Sequence, residues 1–222
     1  MKSVLDMPKP SRLDDWRCLA PGVFTARLFS IAQCQDLLAR IVGRKLRESS
    51  FSAVPREHPN SMHDYGMVVN NPELSALLAC LPDRWLATII PALFPHLPSS
   101  RFVDQHAFLV LYGENAEQDL ALNVDASHIT LNICLENDAH GGEINFTGAR
   151  CAKHVNEPPD RTAVSHRFEP GDVLLHVGNQ RHYVPPLLGG RRRNLLVWYR
   201  LEGEAFDHGN GWVQSMCSTC HS

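Results

Sequence analysis

Two stretches decide how the rest of the chain is read. The first is Asp119–Leu135, DLALNVDASHITLNICL; the second lies between Glu169 and Arg200 and reads GDVLLHVGNQRHYVPPLLGGRRRNLLVWYR from Gly171. Each is an apolar strand pattern interrupted by a few polar residues. Asp125 stands at the mouth of one strand, while the other stretch carries His182 and, ten residues on, Arg192. Alternate residues of a strand share a face, so Asn123 and Asp125 point one way, and Arg192, Asn194, Leu196 and Trp198 form a row of their own.

A carboxylate and an imidazole brought together from separate strands are two of the three ligands of the two-His-one-carboxylate triad that holds non-haem Fe(II). An H-x-D pattern would supply the third ligand two residues before Asp125, but the chain has N-V-D, with Asn123 there. Arginine suits the far end of such a site because its planar fork grips a carboxylate bidentately. Three consecutive arginines, Arg191, Arg192 and Arg193, leave the register open by one; the spacing from His182 favours Arg192, with Arg191 and Arg193 read as solvated charges.

Working outward, short strands are expected at about 105–112, 120–125, 129–135, 142–147, 172–177 and 194–201, separated by Gly, Asn, Asp and Pro clusters. The N-terminal half reads as helical. Ser30 with Gln33 makes a capping box ahead of Ile31, Cys34, Leu37, Leu38, Ile41 and Val42. Asn71 caps a second helix with Pro72 at its first position and Leu74, Leu77, Leu78 and Leu81 on one face, which Pro82 is expected to end. Trp85, Leu86, Ile89 and Ile90 then restart a helical pattern that Pro91, Pro95 and Pro98 break. The fold class that follows is mostly β with N-terminal helices: an irregular arm over 1–22, then one domain over 23–222. That domain comprises a helical buttress at about 28–98, a jelly-roll core at about 100–202 and a tail at 203–222.

A chain of 222 residues with 44% hydrophobic content supports a single core. A net charge of -3 gives no support to a nucleic-acid backbone binder. Residues 1–16 hold no apolar run of signal-peptide type and no segment has membrane length, so a soluble intracellular protein is expected. Seven cysteines, an odd number, suit reduced thiols or a metal site better than a disulfide framework.

From about Pro59 to Ser222, PNSMHDYGMVV, HAFLVLYG, NVDASHITLNICL, GGEINFTGARCAKHVN, LLHVGNQRH and RRNLLVWYR occur in an order that resembles the 2-oxoglutarate and Fe(II)-dependent oxygenases of the prolyl/lysyl hydroxylase type. The resemblance implies a double-stranded β-helix. It also implies a reaction in which 2-oxoglutarate and molecular oxygen are consumed to hydroxylate a small-molecule or peptidyl substrate. It further places Asp125 and His182 at metal-ligand positions and Arg192 on the distal carboxylate of 2-oxoglutarate, with Tyr112, Trp198 and Asn132 lining the cosubstrate pocket. Asn123 aligns with the first histidine of the triad. Three readings are open there: an engineered substitution that traps a complex or disables the centre, a non-catalytic binding protein that has left iron chemistry, and a working oxygenase that coordinates iron through the amide, a water or a nearby histidine. His106, His128 and His176 are the nearby histidines, none an evident replacement, and His176 is assigned to the barrel wall.

A second metal signal is separate. Cys151 and His154 form C-x-x-H, Cys217 and Cys220 form C-x-x-C, and two such half-sites make a tetrahedral set for structural zinc. His221 is an alternative fourth ligand, and unliganded thiols on a frayed tail are the plainer reading.

Overall fold

The computed structural model describes residues 12–43, 58–84, 86–97, 101–202 and 217–221. Its elements run β1 (Arg17–Ala20), β2 (Val23–Arg27), α1 (Ile31–Val42), β3 (Gly66–Val68), α2 (Pro72–Arg84), α3 (Ile89–Leu93), β4 (Phe102–Tyr112), β5 (Leu120–Asn123), β6 (Ile129–Asn137), β7 (His140–Gly141), β8 (Ile144–Ala149), β9 (Val164–His166), β10 (Asp172–Val177), β11 (Gln180–Val184), β12 (Leu187–Gly189) and β13 (Arg192–Leu201). A seven-stranded sheet in the order β1-β2-β10-β6-β13-β4-β3 faces a four-stranded sheet in the order β5-β11-β8-β9. Their named strands pair antiparallel throughout. This is the jelly roll that the strand spacing predicts.

The large sheet is covered on both faces, which explains why its central strands run apolar without clean alternation. Toward the small sheet, Phe108, Val110, Cys134, Leu174, Leu196 and Trp198 pack with Ile144, Phe146 and Val184. On the opposite face Leu109, Leu131, Ile133, Val173, Leu195 and Tyr199 pack in one cluster with Leu37, Leu74, Leu78, Ile89 and Phe94 from the helices. Burial of an aliphatic side chain there contributes roughly 1.5–3 kcal/mol.

The helix caps follow the sequence. Ser30 Oγ accepts from the Gln33 amide at 3.2 Å, and Gln33 Oε1 accepts from the Ser30 amide at 2.9 Å. Asn71 Oδ1 accepts from the amides of Glu73 and Leu74 at the start of α2.

Four expectations need correction. Residues 1–22 are not an arm throughout: from Arg12 the chain is described, and β1 joins the large sheet by pairing with β2, while residues 1–11 lie outside the described set. Pro82 does not end α2, which continues to Arg84. The 120–125 strand stops at Asn123, leaving Asp125 in the following loop. The strand that carries His182 was not foreseen, because its inward residues include Gln180 and His182, so no apolar alternation marks it. Trp85, Pro98 and residues 203–216 of the tail lie outside the described residues.

Candidate active site

Asp125 is 2% exposed, and a small zipper holds it in place. Its amide donates to the Gly178 carbonyl at 2.8 Å, and the Gly178 amide donates back to the His128 carbonyl at 3.1 Å. The loop after β5 is thereby tied to the β10–β11 turn. Only glycine fits at 178, since a Cβ there would lie 1.8 Å from the Ser127 carbonyl oxygen. Thr130 then donates to Asp125 Oδ2 at 2.6 Å and fixes the plane of the carboxylate.

Two imidazoles meet that carboxylate. His182 Nε2 lies 3.6 Å from Asp125 Oδ1, and His176 Nε2 lies 3.5 Å from Asp125 Oδ2. Each ring has its other nitrogen against a backbone carbonyl, His182 Nδ1 on Gln180 at 2.9 Å and His176 Nδ1 on Val177 at 2.8 Å. A carbonyl only accepts, so Nδ1 carries a proton in both rings and each Nε2 faces the carboxylate. Burial pushes the His176 imidazole down to about 4, against the opposing pull of Asp125, so it is neutral near pH 7. The donor set, two imidazoles and one carboxylate with both rings oriented by backbone carbonyls, is of the type that holds non-haem Fe(II). Phe146 closes one side, its ring centroid 5.4 Å from that of His176 and 5.8 Å from that of His182.

Asn123 lies directly across the ladder from His182. Its Nδ2 donates to the Ala121 carbonyl at 2.8 Å, while its buried Oδ1 has no hydrogen-bond partner. Of the other histidines, His106 stands on the Pro59 carbonyl at 2.7 Å, and His128 Nδ1 accepts from the Leu201 amide at 3.2 Å. Neither is turned to the carboxylate. The assignment of His176 to the wall is therefore incomplete: it is a wall residue whose ring edge reaches Asp125.

At the other end Arg192 is 3% exposed and is the most buried of the three consecutive arginines. Arg191 and Arg193 turn instead to Glu136, at 2.8 and 3.2 Å. The Arg192 guanidinium lies 4.5 Å over the Tyr112 ring and 5.5 Å from that of Phe168. It donates through one terminal nitrogen to the Gly142 carbonyl, while its buried Nε has no partner. Burial pushes the Tyr112 phenol up to about 12 despite Arg192, and the same hydroxyl feels the charge of Asp125. Tyr112 thus lies within electrostatic reach of both Asp125 and Arg192.

His63 completes this side. Its Nε2 lies 3.3 Å from the Tyr112 hydroxyl and its Nδ1 lies 3.1 Å from Asn60 Oδ1. Burial lowers it to about 4, against the attraction of Asp125. Asn132 accepts from Asn194 Nδ2 at 2.6 Å, and Trp198 packs edge-on to Phe108 with its buried indole nitrogen unpartnered. Sequence reasoning missed His63, His176 and Asn194 as site residues. The period-two signal was present for His176, which stands opposite Thr130 in the β10–β6 ladder, and for Asn194 in the Arg192 row.

The second set of ligands also assembles. Cys151, His154, Cys217 and Cys220 bring their donor atoms within 4.8 Å of one another, the group of His, Cys, Asp and Glu donors among the described residues that does so. The carboxylate–imidazole trio is more open, one ring standing on each oxygen of Asp125. The side chain of His221 lies outside the described residues.

No family model matches the chain. It is 34% identical over 182 residues to the 2-oxoglutarate and iron-dependent oxygenase domain-containing protein ICU11 of Arabidopsis thaliana, covering 81% of this chain and 45% of that one. It is 30% identical over 180 residues to the 2-oxoglutarate and iron-dependent oxygenase domain-containing protein 2 of Homo sapiens, covering 80% and 49%. The chain spans about half the length of the curated relatives it matches. Among solved structures, a Pseudomonas putida prolyl-4-hydroxylase shares the fold at 17% identity over 86% of this chain and 97% of that one, with a TM-score of 0.56. EvdO2 from Micromonospora carbonacea var. aurantiaca, complexed with 2-oxoglutarate, does so at 13% identity over 87% and 91%, with a TM-score of 0.58. Identity of 34% sustained over 81% of the chain, on a jelly roll shared with those structures, reflects common descent with proteins named for a 2-oxoglutarate and iron-dependent oxygenase domain.

Proposed function

We propose that this chain is the catalytic domain of a 2-oxoglutarate- and Fe(II)-dependent dioxygenase that hydroxylates a C–H bond of an amino acid, a peptidyl residue or another small molecule. The observation that carries the reading is the convergence of the His176 and His182 Nε2 atoms on the two oxygens of Asp125, at 3.5 and 3.6 Å. Asp125, His182 and His176 would hold the iron, with His176 supplying the imidazole that Asn123 does not. Iron with 2-oxoglutarate bound supplies the oxidising power, coupling decarboxylation of the keto acid to oxygen insertion at the substrate.

The chain's own residues position and exclude. Arg192 takes the distal carboxylate, for which its unpartnered Nε–H is available. Tyr112 stays protonated and so remains an O–H donor beside that anion. The Asn132–Asn194 pair fixes a polar rung, and Phe146, Phe168 and Trp198 keep bulk water from the walls. The separate Cys–His set is read as a structural zinc site and is taken up below. Among the described residues no helix is long and apolar enough to cross a membrane.

Binding without chemistry is the rival reading, and Asn123 is what favours it, since an amide oxygen is a weak Fe(II) ligand. Anaerobic titration of Fe(II) with 2-oxoglutarate separates the two. The dioxygenase gives a metal-to-ligand charge-transfer band and, on admitting oxygen, succinate; no band and no succinate defeats it. His176→Ala is expected to abolish the band while Asn123→Ala keeps it. The reverse pattern returns the third position to Asn123.

A further inference from the structure

We propose that Cys151, His154, Cys217 and Cys220 form a tetrahedral zinc site that fastens the C-terminal segment to the end of β8. The distances are those of a metal tetrahedron. Zn–S bonds of about 2.3 Å and Zn–N bonds of about 2.0–2.1 Å set ligand edges near 3.8 Å between sulfurs and near 3.5 Å between sulfur and nitrogen. Cys151 Sγ and Cys220 Sγ are 3.8 Å apart, and His154 Nδ1 lies 3.4 Å from each of the Cys151, Cys217 and Cys220 sulfurs. Three thiols equidistant from one ring nitrogen are not a hydrogen-bond arrangement, because that nitrogen has one lone pair or one proton to share. Nor are they a disulfide, for which the sulfurs would stand about 2.05 Å apart.

The backbone prepares the same geometry. Ala152–His154 form a single 3-10 turn, which brings the two residues of C-x-x-H together, and the His154 amide donates to the Cys151 carbonyl at 2.9 Å. Ser218–His221 form another, and the Cys220 amide donates to the Cys217 carbonyl at 3.1 Å. The two turns face each other across a parallel bridge between Ala149 and Cys217. Cys151 and Cys217 are buried, so thiolates there need a cation to offset their desolvation. Soft sulfur with one imidazole in a closed four-coordinate shell, with no place left for a water, selects zinc in a structural role.

Elemental analysis of the full chain purified without chelator tests the site. About one zinc per chain is expected, which Cys217→Ser with Cys220→Ser removes. In the unmodified protein, exchange with Co(II) after zinc removal should give the intense visible bands of a tetrahedral thiolate complex. This readout does not depend on the variant folding, nor on the iron site, whose nitrogen and oxygen ligands give only weak bands. Chelation should also speed proteolysis between Glu202 and Cys217. Absence of zinc with all thiols reduced, a cobalt complex lacking thiolate character, or zinc unchanged in the double variant would each overturn the assignment.

Discussion

Tyr199 donates its hydroxyl to the Leu78 carbonyl at 2.9 Å, and Leu78 is the residue four before Pro82, whose ring has no N–H to offer it. The sheet thus supplies the hydrogen bond that proline withholds, which lets α2 pass through Pro82 instead of ending there. Tyr199→Phe leaves that carbonyl unsatisfied in the core, at a cost of about 1–3 kcal/mol in chemical denaturation. In a Pro82→Ala background the restored amide takes over, and the loss should shrink. An equal loss in both backgrounds would show that the pair is not coupled.

Gly178 is the second point of leverage. Gly178→Ala drives a methyl group into the Ser127 carbonyl and opens the zipper that sets Asp125 between the two imidazoles. Fe(II) affinity should fall at least roughly tenfold, the effect of a misplaced ligand, with a stability loss of about 2 kcal/mol or more. Calorimetric titration with Fe(II) under anaerobic conditions measures the first. Undiminished affinity would detach the turn from the metal centre.

Arg192→Lys keeps the charge and removes the fork. The Michaelis constant for 2-oxoglutarate should rise roughly 10- to 100-fold, in line with about 1.5–3 kcal/mol for a hydrogen bond to a charged group, with a smaller change in kcat. Arg191→Lys, altering an arginine that faces Glu136, serves as the control. Equal effects of the two would mean that the register is wrong.

Acid should destabilise the iron-free protein. His63 and His176 are held neutral at about 4 by burial, below the ordinary value near 6.5. Between those pH values the unfolded chain binds protons that the folded chain refuses. Stability is therefore complete above about pH 6.5 and declines as pH falls, by roughly 3 kcal/mol for each ring if the whole shift is realised. Denaturant midpoints at pH 7.5 and 5 give the slope, which His63→Gln should flatten. A slope of the opposite sign would contradict the neutral assignment.

β8 leads into the Cys–His cluster at one end and pairs with β11, the strand that carries His182. Ala149 is bridged to Cys217 on one side and paired with Gln180 on the other, and Gln180 holds His182 Nδ1. Asn179 Nδ2 also donates to the Arg150 carbonyl at 3.2 Å. Cys220→Ser should therefore weaken Fe(II) binding severalfold without touching an iron ligand. Unchanged Fe(II) binding in zinc-depleted protein would separate the two sites.

Local chemistry made much of this legible in the sequence. The caps at Ser30 and Asn71 and the strands β4, β6, β8, β10 and β13 each rest on a signal within a few residues. The cross-strand partners did not, because they depend on registers that connect distant segments. His176 sat in an apolar run, and only its pairing with Thr130 reveals that it points inward to Asp125. His63 belongs to a turn-rich segment whose position against Tyr112 no periodicity encodes. β11 was hidden because its inward residues Gln180 and His182 are polar, which inverts the usual inside-apolar pattern. Pro82 misled because its missing donor is replaced from a strand more than a hundred residues away.

The pairing of β2 with β10 sets the order in which the molecule can be built. Arg27 and Asp172 are register partners 145 residues apart, and they are joined by a hydrogen bond at 2.9 Å. During synthesis the first hairpin emerges long before its neighbour, and β6 must await β10 as well as β13. The apolar inner strands stay unshielded until most of the polypeptide has left the ribosome. Assembly is consequently late and slow, and a nascent chain stalled before Asp172 presents bare sheet edges to chaperones or to its own kind.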